Sequence, residues 1–224
     1  MRVKICGITS FDQARAVAQC GATDLGFICV AKSARYIAPE ALTDITQALL
    51  QAEIQVGTVG VFVNTPMEAV GQIARQAHLK TVQLHSQETL EDCQRFRQLW
   101  PGVEIIKAIR VRGEPDLELA ERYAPWVDAL LLDAYHPHHH GGTGQTLEWE
   151  ILKTFRPACP WFLAGGLTPK NVQTALNQLF PQGIDLSSGV EVRPGVKNLT
   201  LVRDLFRQLQ PFMGAQPKIA PLKK

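Results

Sequence analysis

Apolar positions along the chain alternate between two patterns. Short aliphatic and β-branched runs are each followed by a polar break, then by a longer segment whose apolar residues recur three or four apart. The short runs are Val3 to Cys6, Leu25 to Val30, Val56 to Val63, Thr81 to Leu84, Glu104 to Ile109, Ala129 to Asp133, Trp161 to Ala164 and Ile184 to Leu186. They predict eight strands. The longer segments predict helices at FDQARAVAQ after Ser10, at EALTDITQALLQ after Pro39 and at MEAVGQIARQA after Thr65 and Pro66. Further helices follow at Gln87 to Leu99, Pro115 to Tyr123, Trp149 to Phe155, Asn171 to Phe180 and Leu199 to Phe212. Serine, threonine and proline are favoured where helices start, and Gly21 and Gly102 stand where two of them should stop.

Strict alternation of strand and helix calls for parallel strands, because each parallel pair needs a crossover. Eight such units favour closure into an α/β fold, a single-domain (β/α)8 TIM barrel over residues 1–212, with a loose polar tail at 213–224. The runner-up, an open doubly wound sheet, would carry GxGxxG after the first strand, where this chain has CGITS. Composition adds exclusions. A net charge of +2 without a basic stripe or acidic block gives no reason to expect nucleic acid or a membrane as partner. No apolar run approaches the length of a membrane span or signal peptide. Five cysteines without a CxxC pair suggest neither a disulfide framework nor a zinc knuckle, and fit a reducing cytoplasm.

In a barrel of this kind chemistry gathers where the strands end. Cys6, Arg35, Asn64, His85, Arg110, Asp133, Gly165 with Gly166, and Ser187 with Ser188 stand at or just after the eight strand ends. Period-two alternation puts Lys4 and Cys6 on one face of the first strand and Leu131 and Asp133 on one face of the sixth. If those faces line the interior, a thiol and a carboxylate meet across the mouth. Lys4 and the helix start after Ser10 would then favour thiolate. The stretches LAGGLTPKNV and IDLSSGVEV follow the seventh and eighth strands, the position where such barrels most often hold a phosphate. An acid and a base around a phosphorylated small molecule suit proton transfer beside a carbonyl or imine, which calls for no cofactor. Lys107 reads as a Schiff-base lysine or, more simply, as half of an interior ion pair. The histidines at 136, 138, 139 and 140 share one loop without complementary ligands elsewhere, so no metal is expected. Cys20, Cys29, Cys93 and Cys159 read as structural or incidental.

Taken in order, VKICGIT, LGFICVAKSARYI, VGVFVN, VQLH, LLLDA with GGTG, LAGGLTPKNV and DLSSGVEVRPGVKN resemble the phosphoribosylanthranilate isomerase family of tryptophan biosynthesis, over about residues 3 to 212. The resemblance implies a (β/α)8 barrel that converts N-(5-phosphoribosyl)anthranilate to 1-(2-carboxyphenylamino)-1-deoxyribulose 5-phosphate by an Amadori rearrangement. It implies Cys6 as general base and Asp133 as general acid. By the same resemblance Arg35 holds the anthranilate carboxylate, and Gly165, Gly166, Ser187, Ser188 and Gly189 cradle the phosphate. The expected protein is a cytoplasmic monomer or homodimer. The chain departs from the family pattern at SARY, at QLHS, at Leu147 after GGTG and in its histidine-rich loop.

Overall fold

The structure is a computed structural model that describes residues 1–134 and 147–214, with 147 and 148 described by backbone alone. The strands are β1 (Arg2–Cys6), β2 (Asp24–Ile28), β3 (Gly57–Phe62), β4 (Thr81–Leu84), β5 (Glu104–Arg110), β6 (Ala129–Asp133), β7 (Trp161–Ala164) and β8 (Gly183–Leu186). Between and after them lie α1 (Phe11–Gln19), α2 (Pro39–Gln51), α3 (Met67–Gln76), α4 (Leu90–Leu99), α5 (Glu114–Tyr123), α6 (Leu147–Leu152) and α7 (Val172–Gln178). A short hairpin, β9 (Glu191–Arg193) and β10 (Val196–Lys197), precedes α8 (Leu199–Met213).

β1 to β8 pair in parallel and in order, and β1 returns to β8 through Val3 opposite Ile184 and Lys4 opposite Asp185, which closes the barrel. The apolar face of each helix packs on the outside of this cylinder, forming one large core with the outward side chains of the strands. The inward side chains of β3, β5, β6 and β7 form a separate small cluster: Val59, Ile106, Ala108, Ala129, Leu131, Phe162 and Ala164. At the N-terminal end the Arg2 guanidinium lies 5.1 Å over the Phe162 ring and pairs with Asp24 at 2.6 Å and Glu104 at 3.3 Å. Those groups plug the lower end. Among the described residues the upper end is open, and a cavity lies there.

Local signals account for several helix starts. Ser10 accepts from the Gln13 amide at the start of α1, Thr89 and Asp92 form a capping box on α4, and Asn198 caps α8. α4 begins at Leu90 rather than at Gln87, because the Glu88 carboxylate is drawn inward to the amides of Asn64 and Ser86 and to Lys107. α6 covers Leu147–Leu152 rather than running from Trp149 to Phe155, and the β9–β10 hairpin interrupts what reads in sequence as a loop. The histidines from 136 to 140, the GGTG motif and residues 215–224 lie outside the described residues. No helix among the described residues is long and apolar enough to cross a membrane.

Candidate active site

Strand alternation carries Lys4 and Cys6 into the barrel and places the thiol at the rim. Lys4 has no exposed surface, and its ammonium lies 3.0 Å from Asp185 Oδ1 on the neighbouring β8. The Ser187 hydroxyl donates to the Cys6 carbonyl at 3.0 Å, so the start of the loop after β8 is tied to the end of β1. Burial pushes the Cys6 thiol above its ordinary pKa; Lys4 and Lys197 pull against that shift, and Asp185 reinforces it. Lys4 therefore favours the thiolate, as its place on the strand leads one to expect, but desolvation outweighs the cations and the net shift is upward. Burial also works against the Lys4 ammonium, but Asp185 and Cys6 more than offset it and hold its pKa up.

Across the mouth, Asp133 ends β6 on the same inward face as Leu131. Between them on β4, Gln83 is buried and its amide nitrogen lies 2.6 Å from His85 Nδ1. With the amide as donor, the ring proton sits on Nε2. Burial, aided by Lys4, lowers the His85 pKa, so the imidazole is neutral at neutral pH. The Gln83 carbonyl oxygen is buried with no hydrogen-bond partner among the described residues, and Gln83 lines the same cavity as Cys6. An orphan acceptor there is a ready contact for a ligand hydroxyl or N–H.

The glycine stretches meet on the other side. Gly165 and Gly166 take φ of 94° and 64°, the left-handed region that favours glycine, and turn the chain out of β7. Ser188 to Val190 form a single 3-10 turn after β8. A Cβ at Gly189 would collide with the Leu167 carbonyl oxygen, so only glycine lets the two loops approach this closely. The amides of Gly166, Ser188 and Gly189 find no acceptor among the described residues, which leaves them available to an anion.

Arg35 lies in the loop between β2 and α2, which returns to the barrel through a parallel bridge between Tyr36 and Ile28. Its Nε donates to Glu191 at 3.0 and 3.1 Å, and its Nη2 donates at 2.7 Å. The sequence reading gives this fork to a substrate carboxylate; one side of it is already taken by the protein.

Cys6, Arg35, Asp133, Gly165, Gly166, Ser187, Ser188 and Gly189 all line one cavity of about 470 Å³, a volume suited to a small-molecule ligand. Asp185 and Lys197 also belong to the surroundings of the thiol, Glu191 pairs with Lys197, and none of the three was singled out in sequence. Asp185 carried a visible signal, a carboxylate inside the apolar run IDL, like that of Asp133. Lys107 turns out to be an ion-pair lysine. It donates to Glu88 at 2.9 Å and to the carbonyls of Ser86 and Leu84 at 2.6 and 3.2 Å, with both side chains almost wholly buried. Its nitrogen is enclosed by three acceptors, the arrangement of a structural ion pair. Burial pushes Cys29 to about 12 and Cys93 and Cys159 to about 11, so these are inert thiols. Among the described residues no group of three or more histidine, cysteine or acidic side chains could hold a metal ion.

Known proteins give this arrangement a context. The chain is 52% identical over 209 residues to N-(5′-phosphoribosyl)anthranilate isomerase of Synechococcus elongatus, which covers 93% of this chain and 96% of that one. It is similar, at 33% identity and a TM-score of 0.80, to a phosphoribosyl anthranilate isomerase solved in complex with reduced 1-(o-carboxyphenylamino)-1-deoxyribulose 5-phosphate, over 94% of this chain and 99% of that one. A monomeric form made from the dimeric enzyme of Thermotoga maritima matches at 34% identity and a TM-score of 0.76, over 93% and 97%. The family model for N-(5′-phosphoribosyl)anthranilate isomerase matches residues 3–208, from the first strand into the last helix, and the chain belongs to that family.

Proposed function

We propose that this chain isomerises N-(5-phosphoribosyl)anthranilate to 1-(2-carboxyphenylamino)-1-deoxyribulose 5-phosphate by an Amadori rearrangement, with Asp133 as general acid and Cys6 as general base. The observation that carries the reading is the single cavity with a thiol on β1, a carboxylate on β6 and two glycine-built loops beside them. Asp133 delivers a proton to the furanose ring oxygen; the bond from C1 to that oxygen breaks as the anthranilate nitrogen forms a C=N bond. The Cys6 thiolate then takes the C2 proton, and the C–H electrons become the C1=C2 bond of an enolamine. Moving the O2 proton to C1 gives the ketone. The change is redox-neutral within one molecule, so the chemistry needs no cofactor.

The raised Cys6 pKa has two consequences for this step. Less thiolate is present at neutral pH, but each thiolate is a stronger base toward carbon. Lys4 and Lys197 supply the positive charge that keeps the anion accessible. The amides of Gly166, Ser188 and Gly189 receive the phosphate, which anchors the sugar chain so that C2 sits above the thiol. Arg35 receives the anthranilate carboxylate. We place the enzyme in the cytoplasm as a monomer or homodimer whose partner is this phosphorylated substrate.

The test is the decay of anthranilate fluorescence on addition of enzyme to freshly generated phosphoribosylanthranilate. No acceleration over the spontaneous background would refute the activity. Cys6→Ala and Asp133→Asn should each lower turnover at least about a hundredfold, the order expected for loss of a general base or acid. A near-normal rate in either variant removes that residue from its role.

A further inference from the structure

The Arg35 guanidinium does not meet the cavity with both of its faces. A guanidinium can grip a carboxylate through its Nε side or through its two terminal nitrogens. Glu191 occupies the Nε side, with three contacts of 2.7 to 3.1 Å. Glu191 is itself 3% exposed and accepts from Lys197 Nζ at 2.7 Å and from the Gly195 amide at 3.2 Å. The Lys197 side chain has no exposed surface. Two cationic side chains thus flank one carboxylate, so among the described residues of this cluster basic groups outnumber acidic ones by one beside the cavity that Arg35 lines; burial lowers the Lys197 pKa and Glu191 works against that shift.

The arginine stem is fixed as well. Gly7 follows the thiol with φ of 82°, and a Cβ there would come within 2.7 Å of Arg35 Cδ and 3.2 Å of Ser187 Oγ. The stem therefore crosses the backbone immediately beyond Cys6. Burial on its own would raise the Glu191 pKa, but the hydrogen bonds from Arg35 and Lys197 outweigh it and hold the carboxyl below its usual range.

We infer that Glu191, held by Lys197, is a positioning residue that locks Arg35 over Gly7 and offers the remaining terminal-nitrogen face to the aromatic carboxylate of the substrate. The rotamer freedom of a long arginine is then given up on folding instead of on binding, and the surplus basic group gains an acidic partner when the carboxylate arrives. Because the stem runs across the residue after the thiol, the same lock sets the distance between the aromatic ring and the base. This rests on the proposed assignment of Arg35 to the substrate carboxylate.

The experiment compares two substrates, phosphoribosylanthranilate and its aniline counterpart, which lacks the carboxylate, with ketose product followed chromatographically. The readout is the ratio of their kcat/KM values in wild type, Arg35→Ala, Glu191→Gln and Glu191→Asp. Arg35→Ala should collapse the preference for the carboxylated substrate. Each Glu191 variant should lower that preference at least tenfold, mainly through KM, and the Arg35→Ala/Glu191→Gln double variant should be no less selective than Arg35→Ala alone. If Arg35→Ala keeps the preference, the assignment of Arg35 is wrong. If Arg35→Ala loses it while both Glu191 variants keep it, or lose activity equally on both substrates, the positioning role is wrong. Glu191→Asp keeps the charge but retracts it from the guanidinium, so the comparison survives a folding failure of Glu191→Gln.

Discussion

Replacing Lys4 by methionine should move the working pH of the enzyme upward. Lys4 and Cys6 lie two residues apart on one face of β1, about 7 Å at ~3.3 Å per residue, and their side chains come closer than that because the ammonium is within hydrogen-bond reach of the thiol. At an effective dielectric constant of about 20, a unit charge even about 7 Å away stabilises the thiolate by about 2.4 kcal/mol, which is a lower bound here. Loss of that interaction raises the thiol pKa and cuts the thiolate fraction on the acid side at least roughly fiftyfold. Asp185 loses the ammonium 3.0 Å from it in the same variant and opposes the thiolate further. The acid limb of kcat/KM against pH should therefore shift up by one to two units or more, while activity recovers at alkaline pH. Asp185→Asn removes an opposing charge and should shift the limb the other way. A structural defect would depress the rate at every pH. A limb that stays within about 0.3 units in a folded Lys4→Met enzyme would refute both the field of Lys4 and the base it acts on.

Gly189→Ala forces a methyl against the Leu167 carbonyl and should raise the substrate KM at least tenfold with a smaller effect on kcat; an unchanged KM would show that the loops do not need this approach. Lys107→Met strands the buried Glu88 carboxylate and should destabilise the barrel by roughly 3 kcal/mol, read as a lower denaturation midpoint with an unchanged slope. Burial on its own would raise the Glu88 pKa, but Lys107 and two backbone amides overcome it and hold the pKa below the ordinary value. The stability from this group is present above about pH 4.3 and lost as pH falls toward the lower folded value. Glu88→Gln should remove that part of the acid slope, and an identical slope would contradict it.

Much of the barrel is legible in the chain because parallel strands buried on both faces leave continuous apolar runs. ALLLD, WFLA and TVQL begin and end where the sequence pattern puts them. The thiol and the Asp133 carboxylate are legible for a related reason: each stands at the edge of such a run, where a polar group is costly unless it has a task. What the chain does not display is the long-range partner. Glu191 looks like one charge in a loop, and its neighbours in the chain do not display the hairpin that buries it beside Arg35. Glu88 sits inside a helical pattern, yet Lys107, 19 residues away, draws it inward and shortens the helix. The Cys6 shift had the opposite sign to the one its charged neighbours suggest, because adjacent residues reveal charge and only the closed barrel reveals burial.

Barrel closure also sets an order of events during synthesis. The Lys4 to Asp185 pair and the Ser187 bond to the Cys6 carbonyl each join residues 181 positions apart, across the seam where β1 meets β8. While the chain is being made, the first strand leaves the ribosome with its thiol solvated and its lysine unpaired, and it waits for the eighth. The reactive centre is therefore incomplete until the two chain ends meet, so turnover in a refolding experiment should begin no earlier than the joining of β1 to β8, however early the helices appear.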